Sequence, residues 1–238
     1  MKIDLLERYA QESSREYLYR IMKNNIINLN MPPGCSVSEK ELGELLGVSR
    51  APVREAFIKL SHEMLLDIIP QKGTYVSLID VDQVDQAKFL RHCVEEEVIK
   101  LACVSFPQDD LFKLQSSLLL QELCVQEKNY IKLFELDEAM HGTIFSGCNK
   151  ASIWSVIQQL NVHYNRVRMM NLAYSYDWQR IVDQHRQIVH AIQQGDVSWG
   201  ERIANIHFNK VVIDMDDLQK EFPHYFKKPK YIASNDAD

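Results

Sequence analysis

Four side chains in the second half of the chain have the types and spacing of a metal site. Asp137 and His141 stand four residues apart in Leu133-Phe134-Glu135-Leu136-Asp137-Glu138-Ala139-Met140-His141. On a helix that spacing stacks both on one face, about 6 Å apart. His185 lies before, and His207 after, a helix break at Gly195-Asp196. If two antiparallel helices hinge at that break, each histidine sits roughly 15 Å from the turn, and the two face one another at the same level. Three imidazoles and a carboxylate suit a divalent ion, zinc first, with nickel, manganese or iron also compatible. Such a set leaves coordination positions open for water or a ligand. A lone helical histidine is more often a packing residue, and the chain has five others: His62, His92, His163, His190 and His224. Only the symmetric placement about the turn groups these three with Asp137. Two alternatives use the same residues: a metal-dependent hydrolase and a dimer scaffold with a structural metal. A hydrolase needs a general base beside the ion but outside its ligands. Glu135 and Glu138 point to other helix faces, so no enzyme is expected.

The first third carries a different chemistry. Arg50 and Arg54 are four apart on one helix face, with Ser49 at its start. Arginine forks to guanine O6 and N7, or to phosphate, so such a helix end suits base edges in a major groove. Lys72, at the tip of a hairpin, would reach the adjacent DNA backbone. An isolated arginine pair more often only solvates a helix, so the surrounding elements carry weight.

Those elements follow from spacing and breakers. Residues 15–29 repeat apolar side chains at helical spacing until Pro32-Pro33-Gly34. Ser38-Glu39-Lys40-Glu41 fits a capping box and opens a second helix to Leu46, which Gly47 ends. Ser49 can cap a third, from about Arg50 to Leu65, and Leu42, Leu45, Leu46 and Val48 would fill the small core. Two β-prone runs, Leu66–Pro70 and Thr74–Ile79, flank Gln71-Lys72-Gly73 as a hairpin. This order is that of a winged helix-turn-helix. From Val81 helical patterns run to about residue 220, broken near Phe106-Pro107, Lys128-Asn129, Gly147-Cys148-Asn149 and Gly195-Asp196. The fold expected is mainly α: a winged helix-turn-helix over 1–80, an all-helical bundle over 81–221 and a tail over 222–238, partly disordered.

The string Leu45-Leu46-Gly47-Val48-Ser49-Arg50-Ala51-Pro52-Val53-Arg54-Glu55-Ala56, with Pro33-Gly34 before it and Lys72-Gly73-Thr74-Tyr75-Val76 after it, closely resembles the signature of the GntR family of bacterial regulators. One position departs: the family usually has glycine where Met64 stands. The resemblance makes Lys40, Arg50, Arg54 and the Lys72-Gly73 wing tip DNA contacts. The second half, through Asp137-x3-His141, Gly147-Cys148-Asn149, Gln184-His185-Arg186 and His207, resembles the FadR C-terminal (FCD) domain, with regulators of the RspR type nearest. It implies that Asp137, His141, His185 and His207 hold the metal, that the protein forms homodimers, and that a small organic acid binds beside the ion. Arg91 and Glu95 match the first helix of that domain. A cavity for an anion needs a buried cation, so Arg91, Arg166 and Arg168 are candidate ligand-binding residues. Trp154, Trp178, Trp199 and Tyr174-Ser175-Tyr176 read as packing.

The function expected is a ligand-responsive regulator bound to an inverted-repeat operator of double-stranded DNA, on which bulk composition is neutral. The net charge of −6 argues against indiscriminate nucleic-acid binding. Residues 15–79 hold eight basic and seven acidic side chains, so any DNA surface is local. The five scattered cysteines form no C-x-x-C pair and read as reduced thiols of a cytoplasmic protein. No run of 18 apolar residues exists, and the acids among the first eight residues argue against a secretory signal, so no membrane partner is expected.

Overall fold

The computed structural model describes residues 3–174, 178–210 and 215–228. The chain divides into two compact units: one runs to Val84 and resumes at Asp216, the other is Asp85–Met215.

The first unit holds α1 (Ser14–Ile27), β1 (Ser36–Val37), α2 (Glu39–Leu46), α3 (Arg50–His62), β2 (Leu66–Ile69) and β3 (Gly73–Val76). The complete capping box opens α1: the Ser13 hydroxyl accepts from the Glu16 N–H, and the Glu16 carboxylate accepts from the Ser13 N–H. At α2 only half of the expected box forms, with Ser38 Oγ accepting from the Glu41 N–H at 3.3 Å. Gly47 ends α2 at φ 65°, a left-handed conformation that gives the tight turn into α3. Leu18, Ile21 and Met22 of α1 are buried, as are Val53, Phe57 and Leu60 of α3 and Leu42 of α2. Leu45, expected in this core, is 52% exposed, because the short α2 buries one face only. The wing is a three-stranded antiparallel sheet in the order β1-β3-β2. Its first strand has two residues, too few for a sequence period to register. Gly73 turns the wing tip at φ 120°, which an L-residue rarely adopts.

Two features explain parts of the sequence that patterning left silent. The buried Asn25 side chain pairs with the backbone of Asp4, accepting from its N–H at 2.7 Å and donating to its carbonyl at 2.9 Å. This holds the N-terminal stretch on α1. Residues 222–228, the start of the expected tail, are ordered: Phe226 is buried and forms a parallel bridge with Ile79. Ile79 N–H donates to Tyr225 O, and Lys227 N–H to Ile79 O, each at 2.8 Å. The rest of that tail, 229–238, lies outside the described residues.

Met64, the departure from the family signature, sits at φ 58° between α3 and β2. The chain keeps the left-handed backbone that glycine would favour and carries a side chain there. Its carbonyl accepts from Ser77 Oγ at 2.6 Å, which fixes the turn. Met64→Gly removes the steric cost of about 1–2 kcal/mol but adds unfolded-chain entropy, for an expected net gain of about 0.5–1 kcal/mol. Chemical denaturation checks this, and a variant less stable than the parent contradicts it.

The second unit is helical: α4 (Val81–Val104, entering from the first unit), α5 (Gln108–Gln126), α6 (Tyr130–Gly147), α7 (Ala151–Leu160), α8 (Val162–Tyr174), α9 (Trp178–Gln194) and α10 (Val197–Lys210). The chain resumes in α11 (Met215–Glu221) and a short 3-10 helix, Pro223–Tyr225. Each break expected from sequence falls between helices; α7 and α8 also part at Asn161, where no glycine or proline signals it, and α8 ends at Tyr174 before α9 begins at Trp178. Among the described residues no helix is long and apolar enough to cross a membrane, and all five cysteines are free. Ser175 and Tyr176 lie outside the described residues. Trp178 is buried and donates to Leu172 O at 2.8 Å.

Candidate metal centre and nucleic-acid interface

The buried stripes of three helices carry the histidines inward. In α6 the stripe is Leu133, Asp137, Met140, His141 and Ile144. In α9 it is Val182, His185, Ile188, Val189 and Ile192. In α10 Ile203, Ala204, His207 and Phe208 are buried. Gly195, at φ 67°, makes the turn between α9 and α10. Asp196 N–H donates back to Ala191 O, and Asp196 Oδ1 accepts from Trp199 N–H to cap α10. The hinge expected from sequence is therefore present, and it brings His185 and His207 to 4.9 Å between ring centroids. His141 lies 5.6 Å from His185 and 5.4 Å from His207 by the same measure.

One nitrogen of each of the three rings lies within 4.8 Å of the others'. Every Nδ1 already faces an oxygen: Glu95 Oε2 at 2.6 Å from His141, Gln121 Oε1 at 2.7 Å from His185 and Gln184 Oε1 at 3.0 Å from His207. Such partners fix the tautomer and turn Nε2 into the donor atom. The Nε2 atoms of His141 and His185 are buried with no hydrogen-bond partner among the described residues. An orphaned buried nitrogen is costly, and a cation would satisfy both. The donor set therefore fits a divalent ion.

Asp137 is adjacent but differently engaged. Its Oδ1 lies 3.3 Å from His185 Nε2, and its Oδ2 accepts from Arg168. The structure thus groups the three histidines directly and places Asp137 at their edge. Arg168 also donates to Glu138 Oε1, and Arg91 pairs with Glu95 and with Glu138, the latter at 3.2 Å. Gln158 donates to the other Glu138 oxygen. Glu138 is the residue that sequence reasoning missed. One step from Asp137 turns it about 100° around α6, and that face meets the two arginines.

A cavity adjoins this cluster, lined by Arg91, Asp137, Tyr164, Arg168, Asn171 and His207 with apolar Leu133, Leu172, Ile181 and Phe208. Arg91 and Arg168 line it; Arg166 is fully buried but does not. Tyr164 and Asn171 are further polar linings that no motif signalled.

Electrostatics keep the histidines ready. Burial lowers the pKa of His185, and burial with the neighbouring His185 and His141 lowers that of His207 well below its ordinary value. Burial opposes ionisation of Glu95, but Arg91 and then His141 outweigh it and hold its pKa at about 2. Asp137 and Glu138 are likewise lowered against burial, chiefly by Arg168. All these groups bind fewer protons folded than unfolded. Stability without metal is therefore full above the unfolded histidine value of about 6.5, falls below it, and falls further below about 4 as the carboxylates titrate. Thermal melts of metal-free protein should drop from pH 7 to pH 5; equal melting temperatures across that range would contradict this site.

In the first unit Lys40, Ser49, Arg50, Arg54, Lys72 and Gly73 are all exposed. Ser49 occupies the N-cap position of α3, yet its hydroxyl makes no capping bond. Arg50 and Arg54 have no ion-pair partner among the described residues, whereas Lys40 lies 3.8 Å from Glu44. This exposed helix end therefore carries donors that the described residues do not use.

Two family models match the chain: that of the bacterial regulatory proteins of the gntR family over residues 15–76, and the FCD domain over residues 89–210. The chain belongs to the GntR family of transcriptional regulators, with an FCD domain as its second half. It is 30% identical over 213 residues to the HTH-type transcriptional repressor RspR of Escherichia coli K12, covering 90% of this chain and 93% of that protein. It is 28% identical over 214 residues to an HTH-type transcriptional regulator from an unstable DNA locus of Streptomyces ambofaciens, covering 90% of each. The fold matches Escherichia coli McbR/YncC with a TM-score of 0.75 at 18% identity, over 89% of this chain and all of that one. These relatives are transcriptional regulators, not enzymes.

Proposed function

We propose that this regulator works in the cytoplasm as a homodimer on an inverted-repeat operator, and that a small organic acid, bound beside a divalent ion, alters its grip on DNA. The cluster of three buried imidazoles, each with an oxygen facing its Nδ1, is the observation that carries the ligand-sensing half. His141, His185 and His207 would hold the ion, with Asp137 a fourth ligand once released from Arg168. Zinc suits this donor set first. A bound divalent ion supplies a Lewis-acidic receptor for a carboxylate. Arg91 and Arg168 orient such a group, and Tyr164 and Asn171 can hydrogen-bond its other oxygens. The cavity is small and lined by both polar and apolar side chains, and so suits a small ligand.

Lys40, Ser49, Arg50, Arg54, Lys72 and Gly73 form the proposed DNA contacts, with α3 in the major groove and the wing tip on the backbone. Self-association is supported by α5, where Phe112, Leu119, Leu120 and Leu123 lie exposed near one face. The relationship to RspR favours repression.

The test is footprinting on the DNA upstream of the protein's own gene, with and without zinc and short carboxylates. The expected result is a protected inverted repeat whose half-sites lie about one helical turn apart. Lys72→Ala should weaken binding to all sequences alike and lower the salt slope by about one. Protection without two-fold symmetry, or none at all, would overturn the operator reading.

A further inference from the structure

The charged side chains that line the cavity, or pair with those that do, form a closed set: Arg91 and Arg168 against Glu95, Asp137 and Glu138. Two positive charges face three negative ones. Ligating imidazoles are neutral, so the set carries one negative charge alone and one positive charge with a divalent ion. A buried charge left uncompensated is costly in a medium of low dielectric. The site is therefore balanced by one further negative charge, and a second would be buried in excess.

Glu138 sets that count. It does not line the cavity but pairs with both arginines that do, Oε1 accepting from Arg91 and Arg168 and the other oxygen from Gln158. Held by three donors, it is a fixed counter-ion. Without it the two guanidiniums and the metal would leave a doubly positive site, suited to a dicarboxylate.

We propose that the cavity selects small monoanions, carboxylates bearing hydroxyl groups for Tyr164 and Asn171, and that Glu138 excludes dianions by neutralising one arginine charge. This rests on the metal reading given above.

Glycerate and tartronate form a suitable probe pair, since tartronate replaces one CH2OH of glycerate by a second carboxylate. Both are titrated calorimetrically into zinc-loaded full-length protein and into Glu138→Gln, with retained zinc measured after each run. The parent should bind glycerate at least tenfold more tightly than tartronate, and the variant should lose or reverse that preference. A parent that retains zinc but binds tartronate as well as glycerate, or neither, overturns the charge limit while leaving the metal reading intact. So does a folded variant with the parent's selectivity. If the variant does not fold, the parent's own preference decides. A parent that takes up no zinc fails the metal reading, and the proposal falls with it.

Discussion

Replacing either His185 or His207 by alanine should abolish stable metal binding, the largest single effect expected in this protein. Both are fully or almost fully buried, and their ring centroids are 4.9 Å apart. Among the described residues each supplies one of three imidazoles in the group, with no spare histidine or cysteine beside them. Metal analysis of the parent after zinc loading should give about one ion per chain, and of each variant close to none. The ion should also raise the melting temperature of the parent, because it binds the folded state alone. At a free zinc concentration of 100 times Kd that gain is about 2.7 kcal/mol. Gln121→Ala and Gln184→Ala should retain the site but lose about 10–100-fold in affinity, since these amides only orient the rings. Full occupancy in a His185/His207 double variant would show that the ion lies elsewhere.

How much of this site is legible in the sequence depends on range. The pair Asp137 and His141 follows from helix period alone. The meeting of His185 with His207 follows from one glycine turn and equal distances along two helices. What the spacing cannot give is which side chains sit behind these. Glu95 is 46 residues from His141, and Gln121 is 64 from His185. Such partners are set by how α4 and α5 pack on α6 and α9, and helix packing leaves no local period. The same holds for the arginines. Arg91, Arg166 and Arg168 look equivalent as cations, yet 164 and 168 share a face of α8 that borders the cavity and 166 turns away. Helix period turns Glu138 away from the face of Asp137 and His141, and only the packing shows that its own face meets Arg91 and Arg168.

In the first unit local signals carried further, because a helix-turn-helix is short and its turns need particular residues. Gly47, Gly73 and the order of helices and strands are all readable. The signal misleads where it is shared: three S-x-x-E strings fall in this unit, from Ser13, Ser36 and Ser38, and only Ser13-Ser14-Arg15-Glu16 is seen to close both bonds of the box. β1 pairs Ser36 with Tyr75 across a gap of 39 residues, which no pattern two residues long can announce.

The second large effect is expected on DNA. Arg50 and Arg54 lie in the first turn and a half of α3, both exposed and neither paired with an acid among the described residues. Below them Val53, Ala56, Phe57 and Leu60 are buried, so α3 is held rigidly by its other face. Alanine at either arginine leaves that face intact, and melting temperature should not change. The cost then falls on recognition: about 1–3 kcal/mol for each arginine that forks to a guanine, and relaxed specificity at that base pair only. If an arginine instead meets phosphate, its loss weakens every duplex alike and lowers the salt slope by about one. Competition titrations of operator against random duplex at two salt concentrations separate the outcomes. In a two-fold dimer each substitution acts twice per operator, so the double variant should lose specific binding altogether. Both single variants matching the parent on operator and random DNA would remove α3 as the reading helix.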